Sequence, residues 1–148
     1  MQKIGVKIKK LRESANIPTY GTEFAAGSDL YAVLDEKVEI LPGETKFIPT
    51  GLSMEIPNGV VGLIYARSGL SCKKGLASAN KVGVVDSDYR GEIMVALHNH
   101  ANVSQIVESG DRIAQMVFAP YFSAEFEEVD VLKDSVRGEG GFGSTGKN

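Results

Sequence analysis

The sequence predicts an all-β fold, a sandwich or barrel with one short helix, and three observations support that prediction. Apolar and polar residues alternate in short runs, as they do in strands that bury one face. Turn residues separate these runs at short spacing, and helical periodicity is nearly absent. Many short strands joined by turns are typical of sandwiches and barrels. The length of 148 residues suits one domain spanning residues 1–148.

The predicted strands can be placed in chain order. The first has Ile4, Val6 and Ile8 on one face, because alternate side chains of a strand point the same way. The second has Leu30, Ala32 and Leu34 on one face. The remaining predicted strands cover residues 52–56, 60–66, 93–97, 113–118 and 126–132.

One short helix is predicted after the strand at 60–66. Ser68 is placed to cap a turn over residues 69–74, and Gly75 is placed to end it. A strand that ends in Arg67-Ser68-Gly69 and leads into a helix presents backbone N–H groups, a hydroxyl and a guanidinium together. Such a group of donors suits a phosphate. Taken alone, the same segment also reads as an ordinary capped turn.

The segment from Gly83 to Gly91 predicts a β-hairpin with an acidic tip. Asp86 follows two valines, so we expect it to be partly buried, where a carboxylate can accept a proton from water as a general base. Tyr89 offers a flat face to a sugar or base. Asp88 also reads simply as a turn residue.

The glycine-rich segment after residue 132 has too few apolar residues for a core. Its composition is typical of a flexible tail, and we expect residues from about 133 to 148 to form a mobile arm. Arg137 and Phe142 also suit a segment that closes over a ligand. A guanidinium can bind phosphate, an aromatic ring can stack on a base, and Ser144 and Thr145 can donate hydrogen bonds.

Charge, apolar runs and cysteine content limit the binding partners and the cellular location that we expect for the protein. The net charge of −3, without a basic run, argues against binding along a nucleic acid. No run of 18 apolar residues occurs, so no membrane span is predicted, and the N-terminus alternates instead of forming a signal-peptide block. The single cysteine, Cys72, cannot form an internal disulfide, which predicts a reducing location, cytoplasmic or nuclear, and we expect the cytoplasm.

Five segments together resemble the motifs of the trimeric dUTP nucleotidohydrolases, over about four fifths of the chain. The segments are Ala26–Ala32, Ala66–Leu70, Gly83–Gly91, Gly110–Phe118 and Arg137–Gly146. The resemblance implies a jelly-roll-like homotrimer that hydrolyses dUTP to dUMP and pyrophosphate. That activity keeps uracil out of DNA and supplies dUMP for thymidylate synthesis.

The resemblance also implies roles at the nucleoside. Asp86 matches the aspartate that activates the water attacking the α-phosphorus. Tyr89 matches the residue that packs under the deoxyribose and leaves no room for a 2′-hydroxyl. The groups that read the uracil edge correspond to Gly83, Val84, Val85 and Met94, with Asn80 as a polar residue of the same pocket.

At the phosphates, the resemblance assigns Arg67, Ser68, Gly69 and Gln115 to the triphosphate chain. The arm that orders over the nucleotide corresponds to Arg137, Phe142, Gly143, Ser144 and Thr145. The family's Mg²⁺ is held mainly by the phosphates, and Asp29 matches an acid that positions its water shell. Arg112 is expected to be structural.

Two alternatives stay open on the sequence alone. A dCTP deaminase shares the fold, and it would release ammonia from dCTP by means of a catalytic glutamate. A catalytically silent trimeric regulatory or binding module would keep the fold without the hydrolysis. The segment from Asp86 to Gly91 argues against the first, and retention of Asp86 and the arm argues against the second.

Overall fold

The computed structural model describes residues 3–141, which form twelve β-strands and one α-helix. The strands are β1 (Lys7–Lys10), β2 (Thr19–Tyr20), β3 (Ser28–Tyr31), β4 (Val38–Ile40), β5 (Thr45–Pro49), β6 (Leu52–Glu55), β7 (Val60–Tyr65), β8 (Leu76–Ser78), β9 (Val82–Val85), β10 (Met94–Asn99), β11 (Gln105–Val107) and β12 (Arg112–Pro120). The helix is α1 (Ser68–Lys74). The predicted fold class, all-β and jelly-roll-like with one short helix, is confirmed.

The strands form two main sheets and two smaller pairs. The larger sheet has the order β2-β3-β12-β7-β9, and the smaller has the order β5-β10-β8. The additional pairs are β1 with β6 and β4 with β11. All of these pairings are antiparallel, and no sheet within residues 3–141 closes into a barrel.

Alternating side chains from both main sheets build one apolar core. Met116 and Ile64 from the larger sheet join Ile48 and Leu97 from the smaller sheet in a single buried cluster. Burying each such side chain contributes about 1.5–3 kcal/mol, which holds the two sheets together. The site described below therefore lies on a rigid framework.

Most of the predicted long strands are confirmed. Residues 52–56, 60–66, 93–97 and 113–118 correspond to β6, β7, β10 and β12. The first strand begins later than predicted, and Ile4 lies outside it, 43% exposed. In the second, β3 ends at Tyr31, although Leu30 and Ala32 are buried as expected.

The strand predicted at 126–132 is wrong. Those residues have no strand in the structure, and Phe126 and Leu132 are 93% and 81% exposed. Alternation shows that a segment has an apolar face to bury, but it does not say what buries that face. Within residues 3–141, nothing in the chain itself covers it.

The hairpin predicted between Gly83 and Gly91 is also wrong. β9 pairs with β7 in the larger sheet, whereas β10 pairs with β5 and β8 in the smaller one. The apolar run and the turn residues were recognised correctly, but the segment crosses from one sheet to the other instead of folding back. This crossing creates the site described below.

The helix begins one residue earlier than predicted. Arg67, not Ser68, is the N-cap residue, and no side chain caps the helix there. Gly75 ends it in the left-handed conformation (φ 68°), and its N–H donates to the Ser71 carbonyl. A Cβ at this position would also lie 2.9 Å from the Ala101 nitrogen. Glycine is therefore favoured both by the left-handed backbone and by the lack of space for a side chain. No helix among residues 3–141 is long and apolar enough to cross a membrane.

Candidate active site

A pocket of about 360 Å³ opens where the chain crosses between the two main sheets. We call it the inter-sheet pocket, and it is lined by Phe47, Ile64, Asn80, Gly83, Val84, Val85, Asp86, Tyr89, Glu92, Ile93 and Met94. It brings together all seven residues that the sequence assigned to catalysis and nucleoside binding: Asn80, Gly83, Val84, Val85, Asp86, Tyr89 and Met94. Its volume falls within the range of small-molecule sites.

The sequence did not identify four of the lining residues. Phe47 comes from β5 and Ile64 from β7, so both reach the pocket only through tertiary packing. Glu92 and Ile93 lie on the crossing segment itself. In the sequence, Glu92 and Ile93 are linked to the site only by their position between Tyr89 and Met94.

Tyr89 is held by groups of its own loop. Its hydroxyl donates to the Glu92 carbonyl at 3.0 Å, and its N–H donates to the Asp86 carbonyl at 3.2 Å. A Cβ on Gly91 would collide with the Tyr89 hydroxyl and lie 2.5 Å from Cζ. The ring therefore occupies space that only a glycine at position 91 leaves free.

Strand β6 and its neighbours anchor the crossing segment. The Ser53 hydroxyl donates to the Arg90 carbonyl at 2.7 Å, and the Gly51 N–H donates to Glu92 Oε1 at 2.8 Å. The Thr50 hydroxyl donates to the Ile93 carbonyl at 2.6 Å. The loop that carries Asp86 and Tyr89 is thus fixed by one buried and two partly buried hydrogen bonds to the rest of the fold.

Asp86 is exposed, and the expectation that it would be partly buried is wrong. The buried part of β9 ends at Val85, and Asp86 is the first residue of the turn. Its carboxylate lies at the mouth of the inter-sheet pocket, where water reaches it. A general base that activates water needs this access.

Asn80 is carried by a tight turn between β8 and β9. Lys81 adopts a left-handed backbone (φ 64°), which is uncommon for a residue other than glycine. The Val82 N–H donates to the Asn80 carbonyl at 2.7 Å. On β9, a Cβ at Gly83 would lie 3.2 Å from Ile64 Cβ on the neighbouring strand β7. Glycine at position 83 therefore relieves crowding between these two strands beside the pocket.

A second group of predicted residues forms what we call the arginine cluster: Arg67, Asp29 and Arg112. Arg67 Nε donates to Asp29 Oδ1 at 2.7 Å, and Arg112 Nη1 donates to Oδ2 at 3.2 Å. Arg67 Nη1 also donates to the Arg112 carbonyl at 3.3 Å. Asp29 is buried, and both of its ion pairs are partly shielded from water. Two guanidinium groups on one carboxylate leave one net positive charge, which suits an anion.

A bulge in β12 produces this arrangement. The pairing of β12 with β3 shifts register between Arg112 and Ala114, so two β12 residues face one β3 residue. Bulges commonly redirect a side chain next to a functional site. Here Arg112, at the bulge, donates to the carboxylate of Asp29, and its structural role stays a prediction.

Gln115 contacts the chain instead of pointing freely outward. Its Nε2 donates to the Ala66 carbonyl at 2.9 Å, directly before Arg67. A Cβ on Gly27 would collide with Gln115 Oε1, so glycine at position 27 leaves room for this side chain. Ser68 and Gly69 are exposed at the start of α1. Gln115 therefore supports the turn that presents Arg67, Ser68 and Gly69.

Asp29 does not fit the predicted role of ordering a metal's water shell. Both of its oxygens accept hydrogen bonds from guanidinium groups, so a cation nearby would face two positive charges. Within residues 3–141, no group of three His, Cys, Asp or Glu side chains is placed to hold a metal ion.

The inter-sheet pocket and the arginine cluster lie far apart in one chain. Asp29 lies on β3 and Asp86 follows β9, with β12 and β7 between them. Strand spacing of about 4.8 Å gives roughly 14 Å across the sheet. The two residues also differ in position along the strands. Gln115 of β12 pairs with Asp29 on one side and with Tyr65 of β7 on the other, whereas Val85, just before Asp86, pairs with Gly62, three residues before Tyr65. The two residues are therefore separated both across the sheet and along its strands.

The described part of the arm does not reach either group. Arg137 Nε donates to the Gly140 carbonyl at 2.7 Å within an exposed turn. Phe142, Gly143, Ser144 and Thr145 lie outside the described residues.

Comparisons with known proteins identify the relatives of this chain. The dUTPase family profile matches residues 13–146. A deoxyuridine 5′-triphosphate nucleotidohydrolase of Desulfitobacterium hafniense is 53% identical over 149 residues, covering 99% of both chains. One of Haemophilus influenzae is 50% identical over 151 residues, again covering 99% of both. Among solved structures, a dUTPase mutant of Staphylococcus bacteriophage 80alpha with dUpNHpp has a TM-score of 0.89 at 28% identity, covering 98% of this chain and 100% of that one.

Proposed function

This chain belongs to the dUTPase family, and on that premise we propose that it hydrolyses dUTP to dUMP and pyrophosphate. The observation that carries the proposal is the inter-sheet pocket, which has apolar walls, a tyrosine face and a single aspartate at its mouth. A nucleoside fits such a pocket, and the aspartate lies where the phosphates would leave it. Removal of dUTP would keep uracil out of DNA, and dUMP would feed thymidylate synthesis.

Asp86 is the proposed general base. Its carboxylate accepts a proton from a water molecule, and the water oxygen attacks the α-phosphorus. The bond between that phosphorus and the bridging oxygen breaks, and pyrophosphate leaves with the bonding electrons. Exposure of Asp86 supports this role, because solvent has access to the carboxylate where it lines the pocket.

The proposed selectivity rests on the backbone of β9 and β10. Main-chain groups at Gly83, Val84, Val85 and Met94 match the N3–H and the carbonyls of uracil, and would face cytosine with mismatched donors. Asn80 adds a side-chain amide at the same end of the pocket. Tyr89, packed over Gly91, leaves no space for a 2′-hydroxyl.

A homotrimer is proposed, with each active site shared between copies. The separation of Asp86 from Asp29, to which Arg67 is hydrogen-bonded, supports this, because a phosphate chain reaching both in one chain would have to cross three strand spacings. The exposed apolar segment at 126–132 also supports it, since a neighbouring copy would bury that face. In this arrangement Arg67, Ser68 and Gly69 of one copy bind the phosphates of a nucleotide held in another copy's pocket, with Gln115 supporting that turn.

Mg²⁺ is proposed to arrive with the substrate, bound by triphosphate oxygens, where it would neutralise phosphate charge. The arm containing Arg137, Phe142, Gly143, Ser144 and Thr145 is proposed to close over the nucleotide. We also propose a cytoplasmic location, supported by the exposed, unpaired Cys72.

The experiment that tests the function is product analysis with Mg²⁺ and dUTP, dCTP, dTTP or UTP in parallel. The expected result is one dUMP and one pyrophosphate per dUTP consumed, with little turnover of the others. Ammonia from dCTP would favour a deaminase. No turnover of any of the four would favour a silent binding module.

A further inference from the structure

Glu92 connects the turn between β5 and β6 to the loop that carries Tyr89. Its side-chain Oε1 accepts a hydrogen bond from the Gly51 N–H at 2.8 Å, and its main-chain carbonyl accepts one from the Tyr89 hydroxyl at 3.0 Å. Both contacts belong to one residue. The bond that holds the Glu92 side chain therefore also restrains the carbonyl to which the tyrosine is bound.

The Gly51 end of this connection is held firmly. Gly51 is buried, its backbone is left-handed (φ 67°), and its carbonyl accepts a hydrogen bond from the Leu11 N–H at 2.8 Å. A Cβ at position 51 would lie 2.9 Å from the Ala15 Cβ, so the turn has little room to shift. A buried N–H that loses its partner is costly, which favours retention of the bond to Glu92.

The Tyr89 end faces the pocket that the nucleoside is proposed to occupy. The residue is 46% exposed and lines the inter-sheet pocket, so packing covers only part of the ring. A tyrosine side chain has two χ angles, and a hydrogen bond at its hydroxyl therefore restrains the whole ring. The position of the residue 92 carbonyl thus bears on where the ring stands against a bound sugar.

We propose that Glu92 is a positioning residue for the choice between deoxyribose and ribose, because its carboxylate restrains the Tyr89 ring through the carbonyl of the same residue. The proposal rests on the proposed function and deepens it. Without the bond to Gly51, residue 92 and the tyrosine bound to it can withdraw, and space for a 2′-hydroxyl opens. Sugar selectivity then depends on a carboxylate that acts through Tyr89.

The test measures the ratio of kcat/KM for dUTP to kcat/KM for UTP. Glu92→Ala is expected to lower this ratio about three- to ten-fold, as the loss of one hydrogen bond predicts. Glu92→Gln should keep the wild-type ratio, because its amide oxygen can still accept from the Gly51 N–H. Glu44→Ala is the matched control and should also keep the ratio. The Glu44 Oε2 accepts from the Leu41 N–H at 2.8 Å, and Glu44 does not line the pocket.

A second comparison separates positioning of Tyr89 from a general loss of stability. Tyr89→Phe alone should lower the ratio by a similar factor. In that background, Glu92→Ala should lower the ratio no further, because the hydroxyl through which Glu92 acts is already absent. A further loss in the double variant overturns the positioning role. If Glu92→Ala does not fold, Glu92→Asp, whose side chain is one methylene shorter, replaces it with the same expectations.

The outcomes also separate this proposal from the function on which it rests. A wild-type protein that does not hydrolyse dUTP overturns both. An active wild type, together with a folded Glu92→Ala variant that has a lower melting temperature but the wild-type ratio, overturns only the role of Glu92. A crystal structure of Glu92→Ala gives an independent check. The expected result is a Tyr89 hydroxyl beyond hydrogen-bond distance of the residue 92 carbonyl, and an unchanged Tyr89 overturns the proposal.

Discussion

The inter-sheet pocket and the arginine cluster lie apart on the larger sheet and hold their residues by different means. In the pocket, backbone hydrogen bonds and close packing fix the shape, as Tyr89 against Gly91 illustrates. In the cluster, one buried carboxylate holds two guanidinium groups. The pocket is largely apolar and the cluster carries net positive charge.

This difference separates two tasks that one substrate requires. A rigid, apolar pocket discriminates by shape and by fixed donors and acceptors, so changes there should alter selectivity. A charged cluster binds any phosphate chain, so changes there should alter binding and turnover without altering base preference. Because the two lie far apart in one chain, the proposed site takes them from different copies.

The largest expected effect comes from removing the base at the pocket mouth. Asp86→Asn should slow turnover by about 10²–10⁴-fold while dUpNHpp still binds, because only the proton acceptor is lost. Steady-state kinetics and calorimetric binding measure the two quantities. Asp88→Asn is the matched control, since Asp88 shares the loop without lining the pocket, and it should stay within a few-fold of wild type. Turnover near wild type in Asp86→Asn would remove Asp86 from the mechanism.

The next effect tests whether the cluster acts as a unit. Arg67→Ala should lower kcat/KM about 100-fold, and Arg112→Ala about ten-fold, because Arg112 acts only through Asp29 and Arg67. The double variant should be no worse than Arg67→Ala alone. Arg12→Ala, which breaks an exposed pair with Asp35, is the control and should leave kcat/KM unchanged.

Multiplied losses in the double variant would show that Arg112 contacts the substrate independently. Base preference should stay at its wild-type value in all three cluster variants. A changed ratio of dUTP to dCTP turnover would contradict the division of tasks between the two regions.

A smaller effect is expected from a methyl group in the pocket loop. Gly91→Ala should displace Tyr89 and lower the preference for dUTP over UTP by about ten-fold, because a single steric contact carries this discrimination. Competitive assays with the two nucleotides give the ratio. Gly5→Ala adds a methyl that meets no atom within 4 Å and should leave the ratio unchanged. An unchanged ratio in Gly91→Ala would mean that Tyr89 does not guard the 2′ position.

The smallest effect lies outside both regions, at His100. Desolvation, and then the neighbouring His98 and Lys81, lower the pKa of the exposed His100 from its usual 6.5. A lowered pKa means that the unfolded chain binds the proton more readily. Stability should therefore be complete above pH 6.5 and decline as the pH falls below it. Denaturant titrations of wild type and His100→Asn should diverge only below pH 6.5, and parallel curves would contradict this assignment.

The sequence predicted the long strands because each buries alternate residues. Leu52 and Met54 in β6, and Val95 and Leu97 in β10, show this directly. Strands of two or three residues, such as β2 and β8, are too short to show a period, so only the folded chain reveals them. The failed prediction at 126–132 has a different cause, because its apolar face is not buried within the described chain.

Site residues could be predicted where the residues of one group lie close together in the sequence. Asp86 and Tyr89 lie within one loop, and the turn after Arg67 is continuous. Phe47 and Ile64 could not be predicted, because they come from β5 and β7 and reach the site only when the sheets pack. The pairing of Asp29 with Arg67 and Arg112 depends on a bulge that the sequence does not signal.

The most direct test of the shared site is complementation between two inactive variants. Asp86→Asn lacks the base and Arg67→Ala lacks the phosphate ligand, so each alone should be nearly inactive. When equal amounts are unfolded together and refolded, a site that takes Asp86 from one copy and Arg67 from another is intact with probability ½ × ½. The mixture should therefore recover about a quarter of wild-type activity. If mixed oligomers form, as mass spectrometry of tagged chains would establish, and activity stays at the level of the separate variants, the shared site is contradicted.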